Sequence, residues 1–344
     1  MEAPDYSSYI QALDPEIAAK FRSQFGERDT ELADMVPLKS PLVVYVESST
    51  LCNLECRFCP QHISPQQMSR QHMAESVFAA MLSGLKSLPA KPKLIRFCGT
   101  GESLLNHQFP DFVRQIVDNE TAERYELITN GILLGEDRNL PLAELLDRVI
   151  VSVNGLNEEH YRDVTLRKVN TDRLLLGLER FRDVTSRKSK IHIKAHNNIV
   201  PNVRAFKQFV EIYNGVADEL YVENLVNLWP ELESDLGQKT GHRFTHGDLN
   251  AVKACPQIFK SLQVNSDGSV VPCCTDWQAK NTVGHVCDTG LQDIWLGKEL
   301  AQLQKRHLSG ERFDFSPCKD CTMNEYGETD NLDHKLDVIA ASIS

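Results

Sequence analysis

The sequence predicts an α/β protein built on a mostly parallel sheet, and three features of the 344-residue chain support this. Short apolar, β-branched runs alternate with longer segments of helical periodicity from about residue 42 to residue 225. Apolar residues make up 41% of the chain and charged residues 25%, which is typical of a globular protein and excludes a disordered or collagen-like one. The connections between successive units are short, which favours a sheet that is either doubly wound or curved toward a barrel. In both arrangements, chemistry takes place at the carboxyl ends of the strands.

Six strands are predicted in this region. They cover Leu42–Glu47, Leu94–Cys98, Glu126–Thr129, Val149–Val153, Ile191–Ala195 and Glu219–Glu223. Between the first two, apolar side chains recur at helical spacing through Met73–Leu88, and Pro89 ends that helix. Further helical patterns cover Asp111–Asp118, Leu140–Leu146, Asp172–Phe181 and Val203–Tyr213.

The length suggests roughly two domains. Residues 1–40 form an N-terminal extension with a helix signal at Asp14-Pro15, and residues 41–230 form the core domain. The alternation then stops, so a boundary or a lid is expected near 230–250. A second domain at 231–325 contains a hairpin turn at 266–268 and a helix over Leu291–Arg306, and residues 326–344 form a tail.

Charge and composition exclude several classes of function. With 37 basic and 48 acidic residues the net charge is −11, which disfavours nucleic acid as a partner. No run approaches the roughly 18 apolar residues of a membrane span, and the first residues do not resemble a secretory signal. We therefore expect a cytoplasmic protein with no membrane or nucleic-acid partner. In that reducing compartment, ten cysteines indicate metal binding or catalysis.

The first group of cysteines follows the first strand. Cys52, Cys56 and Cys59 have the spacing C-x3-C-x2-C. Three thiolates on one loop can hold three irons of a cubane cluster and leave the fourth iron open to a small ligand. A zinc site with His62 as fourth ligand, or a loop of unreactive thiols, remains the alternative.

This spacing, with the aromatic Phe58 before the last cysteine, resembles the radical S-adenosylmethionine (radical SAM) superfamily. The segment after the second strand is similar to the glycine-glycine-glutamate segment of that family, although Ser103 stands where members commonly have proline. The resemblance implies a 4Fe–4S cluster that binds SAM. It also implies SAM contacts from Phe58, Gly99, Gly101, Glu102, Asn130, Ser152 and Asn154, and from Arg162 or Arg167. Ordinary turn chemistry also explains polar residues at strand ends.

A second group of cysteines lies in the C-terminal part. Cys255, Cys273, Cys318 and Cys321 could close around one 4Fe–4S cluster or one zinc ion. Their spacing is similar to the Twitch domain, a shortened SPASM domain that holds an auxiliary cluster. No cysteine follows Cys321, so one auxiliary cluster is expected. The resemblance covers about residues 42–325 and implies a partial (β/α)6 TIM-like barrel with a small C-terminal Twitch/SPASM-like domain.

The resemblance also implies a reaction. A one-electron reductant such as flavodoxin or ferredoxin would reduce the first cluster, and cleavage of SAM would give a 5′-deoxyadenosyl radical that abstracts hydrogen. On the fifth strand His192, Lys194 and His196 alternate with apolar residues. If they face inward, they could bind a hydroxylated or carboxylated substrate and supply a catalytic base; a solvated strand edge is the alternative.

Three reactions fit these residues. The first is dehydrogenation of a small sugar-like or aminocyclitol-like metabolite, with the auxiliary cluster accepting one electron. The second is modification of a ribosomal peptide, although about forty residues before the first strand are few for a peptide-recognition domain. The third is epimerisation with a cysteine as hydrogen donor, for which Cys287, Cys98 and Cys274 are candidates unless they are merely packed. A scaffold with two zinc sites is the non-enzymatic alternative.

Overall fold

The computed structural model describes residues 6–22, 30–226, 228–229, 232, 236, 252–323 and 330–343. The six predicted strands are present within one residue of their predicted ends. They are β1 (Val43–Val46), β2 (Leu94–Phe97), β3 (Tyr125–Thr129), β4 (Arg148–Ser152), β5 (Lys190–His196) and β6 (Glu219–Glu223). Each pairs in parallel with the next, which is the mostly parallel α/β architecture that the sequence predicted.

Helices connect these strands and cover one face of the sheet. In chain order they are α1 (Ser7–Gln11), α2 (Pro15–Ala18), α3 (Leu32–Met35), α4 (Pro60–Ile63), α5 (Glu75–Ser87), α6 (Phe109–Asp118), α7 (Leu142–Leu145), α8 (Glu158–Thr165), α9 (Thr171–Arg182), α10 (Val203–Tyr213), α11 (Leu291–Trp295), α12 (Lys298–Leu308) and α13 (Leu336–Ser342). No helix among the described residues is both long and apolar enough to cross a lipid bilayer.

The sheet does not close into a barrel, and it continues into the C-terminal part. Its order is β6-β5-β4-β3-β2-β1-β7-β8-β9, with β7 (Ser261–Val264), β8 (Ser269–Val271) and β9 (Gly284–His285). The predicted hairpin is the antiparallel pair β7–β8. The sequence did not predict that β7 runs parallel to β1, with Val43 opposite Ser261. This pairing satisfies the backbone groups on the edge of β1 that would otherwise be free.

The two faces of the parallel sheet differ in chemistry. One face is apolar and packs in the main core with the helices; it includes Val44, Val46, Ile95, Phe97, Val149, Val151, Ile191 and Ile193. The alternate residues share the other face, which we call the lumen face. The register places Tyr45 beside Arg96, Arg96 beside Glu126, Ser152 beside Lys194, Lys194 beside Tyr221 and His196 beside Glu223. A polar face on a buried parallel sheet is unusual, because both faces of such a sheet are normally covered by apolar packing.

The sequence did not predict that the N-terminal extension pairs with the outer edge of the sheet. The short helix signal at Asp14-Pro15 corresponds to α2, which ends at Ala18, and Phe21 then forms a parallel bridge with Leu220 of β6. The Leu220 N–H donates to the Lys20 carbonyl at 2.8 Å, and the Phe21 ring lies 5.4 Å from that of Phe206. The described part of the extension therefore covers the edge strand β6.

Two other elements differ from the sequence-based expectation. The helix predicted over Leu291–Arg306 is two helices, α11 and α12, because Gly297 is extended at their junction. Helix α8 was not predicted, since only Tyr161 and Val164 give it an apolar side among charged residues. Carbonyl groups at the end of this short helix accept hydrogen bonds from the loop that carries the first three cysteines.

Candidate functional site

The first three cysteines lie on a loop that the end of α8 holds in place. The Glu55 and Arg57 N–H groups donate to the carbonyls of Thr165 and Val164, both at 3.0 Å. Within the loop, the Cys59 N–H donates to the Cys56 carbonyl at 2.8 Å. Backbone hydrogen bonds therefore hold the loop in place. Its three sulfurs are close enough that the charge of one raises the pKa of another.

These thiols are protonated when nothing positive binds them. Burial raises the pKa of Cys52 to about 12 and that of Cys59 to about 11. Burial also raises the pKa of Cys56 well above its usual value, and the neighbouring thiols raise it further. Thiolates form in such a place when a cationic centre binds, and a donor set made of sulfur alone suits iron or zinc.

The ligands of the zinc alternative are Cys52, Cys56, Cys59 and His62. Among the described residues, no three His, Cys, Asp or Glu side chains are grouped as they would be around one metal ion. A zinc ion draws four ligands around one centre, whereas a cubane binds its thiolates at different corners. Three cysteine thiols on one loop are sufficient ligands for a cubane that keeps one iron open.

The segment after β2 packs tightly against the segment after β1. A Cβ added at Gly101 would lie 2.1 Å from the Ser49 carbonyl oxygen, so a larger residue there would separate the two segments. Glu102 is buried, and burial raises the pKa of its carboxyl. Its oxygens accept from the Thr129 hydroxyl and the Asn130 N–H, each at 2.8 Å. Two of the residues assigned to SAM, Glu102 and Asn130, are therefore in direct contact.

Gly99 lies against a residue that the sequence analysis did not single out. A Cβ at Gly99 would come within 2.4 Å of the Glu47 Cγ. The Glu47 carboxylate accepts from the N–H and the hydroxyl of Thr100, both at 2.8 Å, and also from the backbone of Ser266. Glu47 thus joins the SAM segment to the β7–β8 turn. Glu47 alternates with apolar residues at the end of the first predicted strand, and this pattern could have identified it as a residue of the polar face.

The ends of β3 and β4 bring further predicted residues toward the cysteine loop. The Asn130 side-chain amide donates to the Asn53 side chain at 2.7 Å, and the Asn154 amide lies 3.9 Å from the Cys56 sulfur. Ser152 points to the lumen face beside Lys194. Both candidate arginines have exposed side chains, and of the two only Arg167 contacts the loop, through an ion pair with Glu55. Among the residues that the structure describes, no contact joins Arg162 to the loop.

His196 and Phe58 meet beside the same loop. Their ring centroids are 5.5 Å apart in an edge-to-face arrangement. Burial and the charge of Lys194 lower the pKa of His196 to about 3, so its imidazole is neutral. Both ring nitrogens are buried and have no hydrogen-bond partner among the described residues. Such unsatisfied nitrogens are costly unless a ligand binds them, and a polar heterocycle such as the adenine of SAM would fit.

Two buried ion pairs line the middle of the lumen face. The Arg96 guanidinium donates to Glu126 at 2.6 Å, and the Lys194 ammonium lies 2.8 Å from Glu223. Cys98 faces Arg96 and Lys194 from the end of β2, and burial raises its pKa to about 12. The alternation of residues along the strands predicted an inward polar face for β5 alone, whereas the five other parallel strands also contribute to it.

The remaining catalytic candidates lie apart from this centre. His192 is nearer the amino end of β5, where its Nδ1 bonds Glu219 at 3.1 Å and its Nε2 has no partner among the described residues. Burial lowers the pKa of His192. Cys287 is exposed and lines a surface cavity with Ala80 and Gly84 of α5, on the helical side of the sheet. The structure therefore places Cys98, and not Cys287, on the lumen face.

The second group of cysteines forms one site at the end of the extended sheet. Burial raises the pKa of Cys255, Cys318 and Cys321, and the neighbouring Cys273 raises each of them further. A hydrogen bond with Cys274, followed by burial, raises the pKa of Cys273 itself. Several polar groups point at these sulfurs. The Thr275 hydroxyl lies 3.1 Å from the Cys273 sulfur, and the Asn281 amide lies 3.7 Å from that of Cys318. Hydrogen bonds to sulfur are typical of iron–sulfur sites, where they tune the potential.

Two family models match the chain. The radical SAM superfamily model matches residues 46–199, and the SPASM iron–sulfur cluster-binding domain model matches residues 255–322. The first range contains the loop of Cys52, Cys56 and Cys59 with Glu102, Asn130 and the lumen face as far as β5. The second contains all four cysteines of the C-terminal site.

The similar proteins include two enzymes whose names state different substrates. The S-adenosyl-L-methionine-dependent 2-deoxy-scyllo-inosamine dehydrogenase of Niallia circulans is 22% identical over 295 residues, which are 86% of this chain and 98% of that protein. The GTP 3′,8-cyclase of Chlorobaculum tepidum is 25% identical over 267 residues, which are 67% of this chain and 77% of the cyclase.

Solved structures with the same fold include BtrN in complex with AdoMet and 2-DOIA. It has a TM-score of 0.55 and 20% identity, and the match covers 81% of this chain and 92% of BtrN. AnSMEcpe with bound AdoMet and a Cp18Cys peptide has a TM-score of 0.57 and 16% identity, covering 88% and 97% of the two chains. At these identities the likeness shows the fold.

Proposed function

The chain belongs to the radical SAM superfamily and carries a C-terminal SPASM-type iron–sulfur domain, and we propose that it dehydrogenates a small polyhydroxylated or amino-sugar-like metabolite. The observation that carries the proposal is the lumen face, whose polar and charged side chains lead from the SAM loop toward the C-terminal cysteines. Tyr45 of this face lies opposite Arg96 of β2, and the charges of Cys274 and Cys273 would act on its hydroxyl. A substrate held there lies between the two groups of cysteines.

The residues of the two sites would hold the cofactors as follows. Cys52, Cys56 and Cys59 would bind the SAM cluster; Cys255, Cys273, Cys318 and Cys321 would bind the auxiliary one. When bound, the first cluster and SAM supply a 5′-deoxyadenosyl radical that takes a hydrogen atom from the substrate. Glu102 would receive the methionine ammonium, since a buried carboxylate pairs well with that charge. Phe58 and His196 would contact the adenine.

The lumen face would bind and orient the substrate. Arg96 and Lys194 donate hydrogen bonds, while Glu126 and Glu223 accept them, and the two cations are each balanced by an acid. A neutral molecule with several hydroxyl groups satisfies such a mixed face better than a single strong anion does. The fixed ion pairs would hold one C–H bond toward the SAM loop.

The redox balance assigns roles to the two ends of the lumen. Loss of a hydrogen atom from a CH–OH group leaves a carbon radical that still bears the hydroxyl. Glu223, held by Lys194, would take the hydroxyl proton, and the auxiliary site would take the remaining electron. The substrate then becomes a ketone after loss of two electrons and two protons in total. The similar dehydrogenase, which the chain matches over nearly its whole length, supports this reading.

Epimerisation is the second candidate, because Cys98 lies half-buried on the lumen face. A thiol there could return a hydrogen atom to the substrate radical, which leaves the substrate at its original oxidation level. One electron from the reductant and a proton from water would then restore the thiol from the thiyl radical left on the cysteine. Cys98 replaces Cys287 in this role, since Cys287 is exposed beside α5.

One experiment distinguishes these reactions. Anaerobically reconstituted protein is supplied with SAM, a one-electron reductant such as reduced flavodoxin, and separately with 2-deoxy-scyllo-inosamine, GTP or a cysteine-containing peptide. We expect 5′-deoxyadenosine and a product with two hydrogen atoms fewer from the aminocyclitol alone. Cys318→Ala should keep 5′-deoxyadenosine formation but lose the oxidised product, and Cys287→Ala should match wild type. Solvent deuterium in a product of unchanged oxidation state, or turnover of GTP or peptide instead, would refute dehydrogenation.

A further inference from the structure

The C-terminal cysteine site contains a buried cation without a carboxylate partner. Arg312 is 3% exposed. One guanidinium nitrogen donates to the Cys318 carbonyl at 3.3 Å, and the guanidinium carbon lies 4.3 Å from the centre of the Phe313 ring. The Nε is buried and has no partner, and Arg312 forms no ion pair within the described ranges. A buried charge left in this condition is strongly unfavourable unless an anion compensates it.

Within the part of the chain that the structure describes, neither Glu311 nor Asp276 supplies that anion. On the same turn, Glu311 pairs with Arg306 at 3.5 Å. Asp276 is buried on the Cys318 side, where its oxygens accept from the N–H groups of Lys280 and Asn281 at 3.0 and 2.7 Å. The neighbouring His307 adds no charge: burial lowers its pKa to about 3, and its Nδ1 accepts the Cys255 N–H at 3.3 Å.

The groups that Arg312 faces are the cysteines themselves. Its hydrogen bond reaches the backbone carbonyl of Cys318 at 3.3 Å, and its positive charge acts on the sulfurs of Cys255 and Cys321. The cation is thus compensated once these cysteines are thiolates bound to the auxiliary cluster. Reduction of such a cluster adds one negative charge beside the guanidinium, in a place with little water to screen it.

We propose that Arg312 is the counter-charge of the auxiliary cluster and raises the reduction potential of that cluster. The cluster then accepts an electron more readily than it would with its four sulfur ligands and no nearby cation. The proposal deepens the dehydrogenation proposed above, because it identifies the residue that sets the electron-accepting step. It concerns a positioning residue, since Arg312 acts on the cluster and does not contact the substrate.

The test is a redox titration that needs no substrate. In full-length protein with Cys52, Cys56 and Cys59 all changed to Ala, the auxiliary cluster is the source of the electron paramagnetic resonance signal. Arg312→Gln should lower the midpoint potential by at least about 59 mV, which is a tenfold shift of a one-electron equilibrium toward the oxidised cluster. Arg312→Lys should restore most of the shift, because it restores the charge.

Lys319 provides a matched control. It lies between Cys318 and Cys321 in the sequence, but its side chain is half-exposed beside Asp320. Lys319→Gln removes one positive charge from a position that water screens. It should change the equilibrium between oxidised and reduced cluster less than twofold. If Arg312→Gln prevents cluster assembly, as iron content would show, Arg312→Met removes the charge while keeping the aliphatic contacts. Equal potentials for the neutral Arg312 variants and Lys319→Gln would overturn the proposal.

The outcome is separable from the proposed reaction. If the potential shifts but the aminocyclitol is not oxidised, the role of Arg312 stands and the substrate assignment fails. If both hold, Arg312→Gln in the otherwise wild-type enzyme should lower the yield of ketone per 5′-deoxyadenosine. If the substrate is oxidised but the potential does not move, the counter-charge proposal fails alone.

Discussion

At the scale of single residues, Glu102 shows how one carboxylate serves both the structure and the ligand. Its oxygens accept hydrogen bonds from Leu104, Thr129 and Asn130, so it joins the ends of β2 and β3. Carboxylate oxygens have further lone pairs that can accept from a ligand ammonium. Burial raises the pKa of Glu102, because the charged carboxylate loses its hydration inside the protein, and a bound ammonium would favour the charged form.

Glu102→Gln should weaken SAM binding by about 10- to 100-fold, since a hydrogen bond to a charged group contributes roughly 1.5–3 kcal/mol. Equilibrium dialysis with anaerobically reconstituted protein measures this. Glu55→Gln is the control: it removes an exposed carboxylate paired with Arg167 on the same loop and should leave affinity within twofold. Unchanged affinity in Glu102→Gln would restrict Glu102 to a structural role.

At the scale of elements, one network connects three strands at the amino end of the lumen. Glu219 of β6 bonds His192 of β5 and lies 2.9 Å from the Arg148 guanidinium of β4. The hydrogen bond from His192, with the charges of Arg148 and Lys190, lowers the pKa of Glu219 to about 2. This network ties the strands together far from the cysteine loop, so it stabilises the sheet and need not take part in catalysis.

Glu219→Gln should therefore have a pH-dependent effect. Because the folded-state pKa is below the usual value near 4.5, the ionised carboxylate stabilises the fold above that pH, and the contribution disappears as pH falls toward 2. We expect the variant to lose roughly 1–2 kcal/mol of unfolding free energy at pH 7 after allowance for screening, and less at pH 4. Urea denaturation at the two pH values measures it.

Glu123→Gln supplies the comparison for this experiment. Glu123 also pairs with a cation, but both it and Lys93 are more than half exposed. Its loss should change stability by less than about 0.5 kcal/mol at either pH. A Glu219 variant with the same loss at both pH values would contradict an origin in ionisation.

At the scale of the whole molecule, the C-terminal site is part of the sheet. The Glu47 N–H donates to the Val264 carbonyl of β7 at 3.0 Å, and the Glu47 side chain reaches the turn at Ser266. A loss of structure at the auxiliary site can therefore also loosen β1, the strand that precedes the first cysteine loop. Two sites that share one sheet are held at a fixed separation, which suits the proposed transfer of an electron from a substrate between them to the auxiliary site.

This continuity predicts how the loss of one site affects the other. In Cys318→Ala, where the auxiliary ligand set is incomplete, β7 should loosen and the amide of Glu47 should exchange with deuterium at least fivefold faster. The Val153 amide, which donates to the Lys194 carbonyl at 2.8 Å within the parallel sheet, should keep its protection. Hydrogen–deuterium exchange with peptide mapping measures both. Equal acceleration at the two amides would indicate general destabilisation instead.

Local sequence patterns determined much of this protein. Six strands, the main helices and both sets of cysteines could be assigned because periodicity and ligand spacing are properties of short segments. Glu102 and Asn130 were predicted from the resemblance to a family, and their contact with SAM stays a prediction. The helix signal at Asp14-Pro15 corresponds to α2. The split at Gly297 was missed because it depends on one backbone angle, and the pairing of Phe21 with β6 was missed because it joins residues that are distant in sequence.

Only the tertiary structure decided which side chains meet. The lumen face depends on the register of five strand pairs, and register is a relation between residues that are distant in sequence. The same holds for Arg312, which folding buries with a hydrogen bond to the Cys318 carbonyl, and for Cys287, which folding leaves exposed. Spacing along a chain determines which ligands a short loop can offer, whereas burial and charge balance emerge once separate segments pack together.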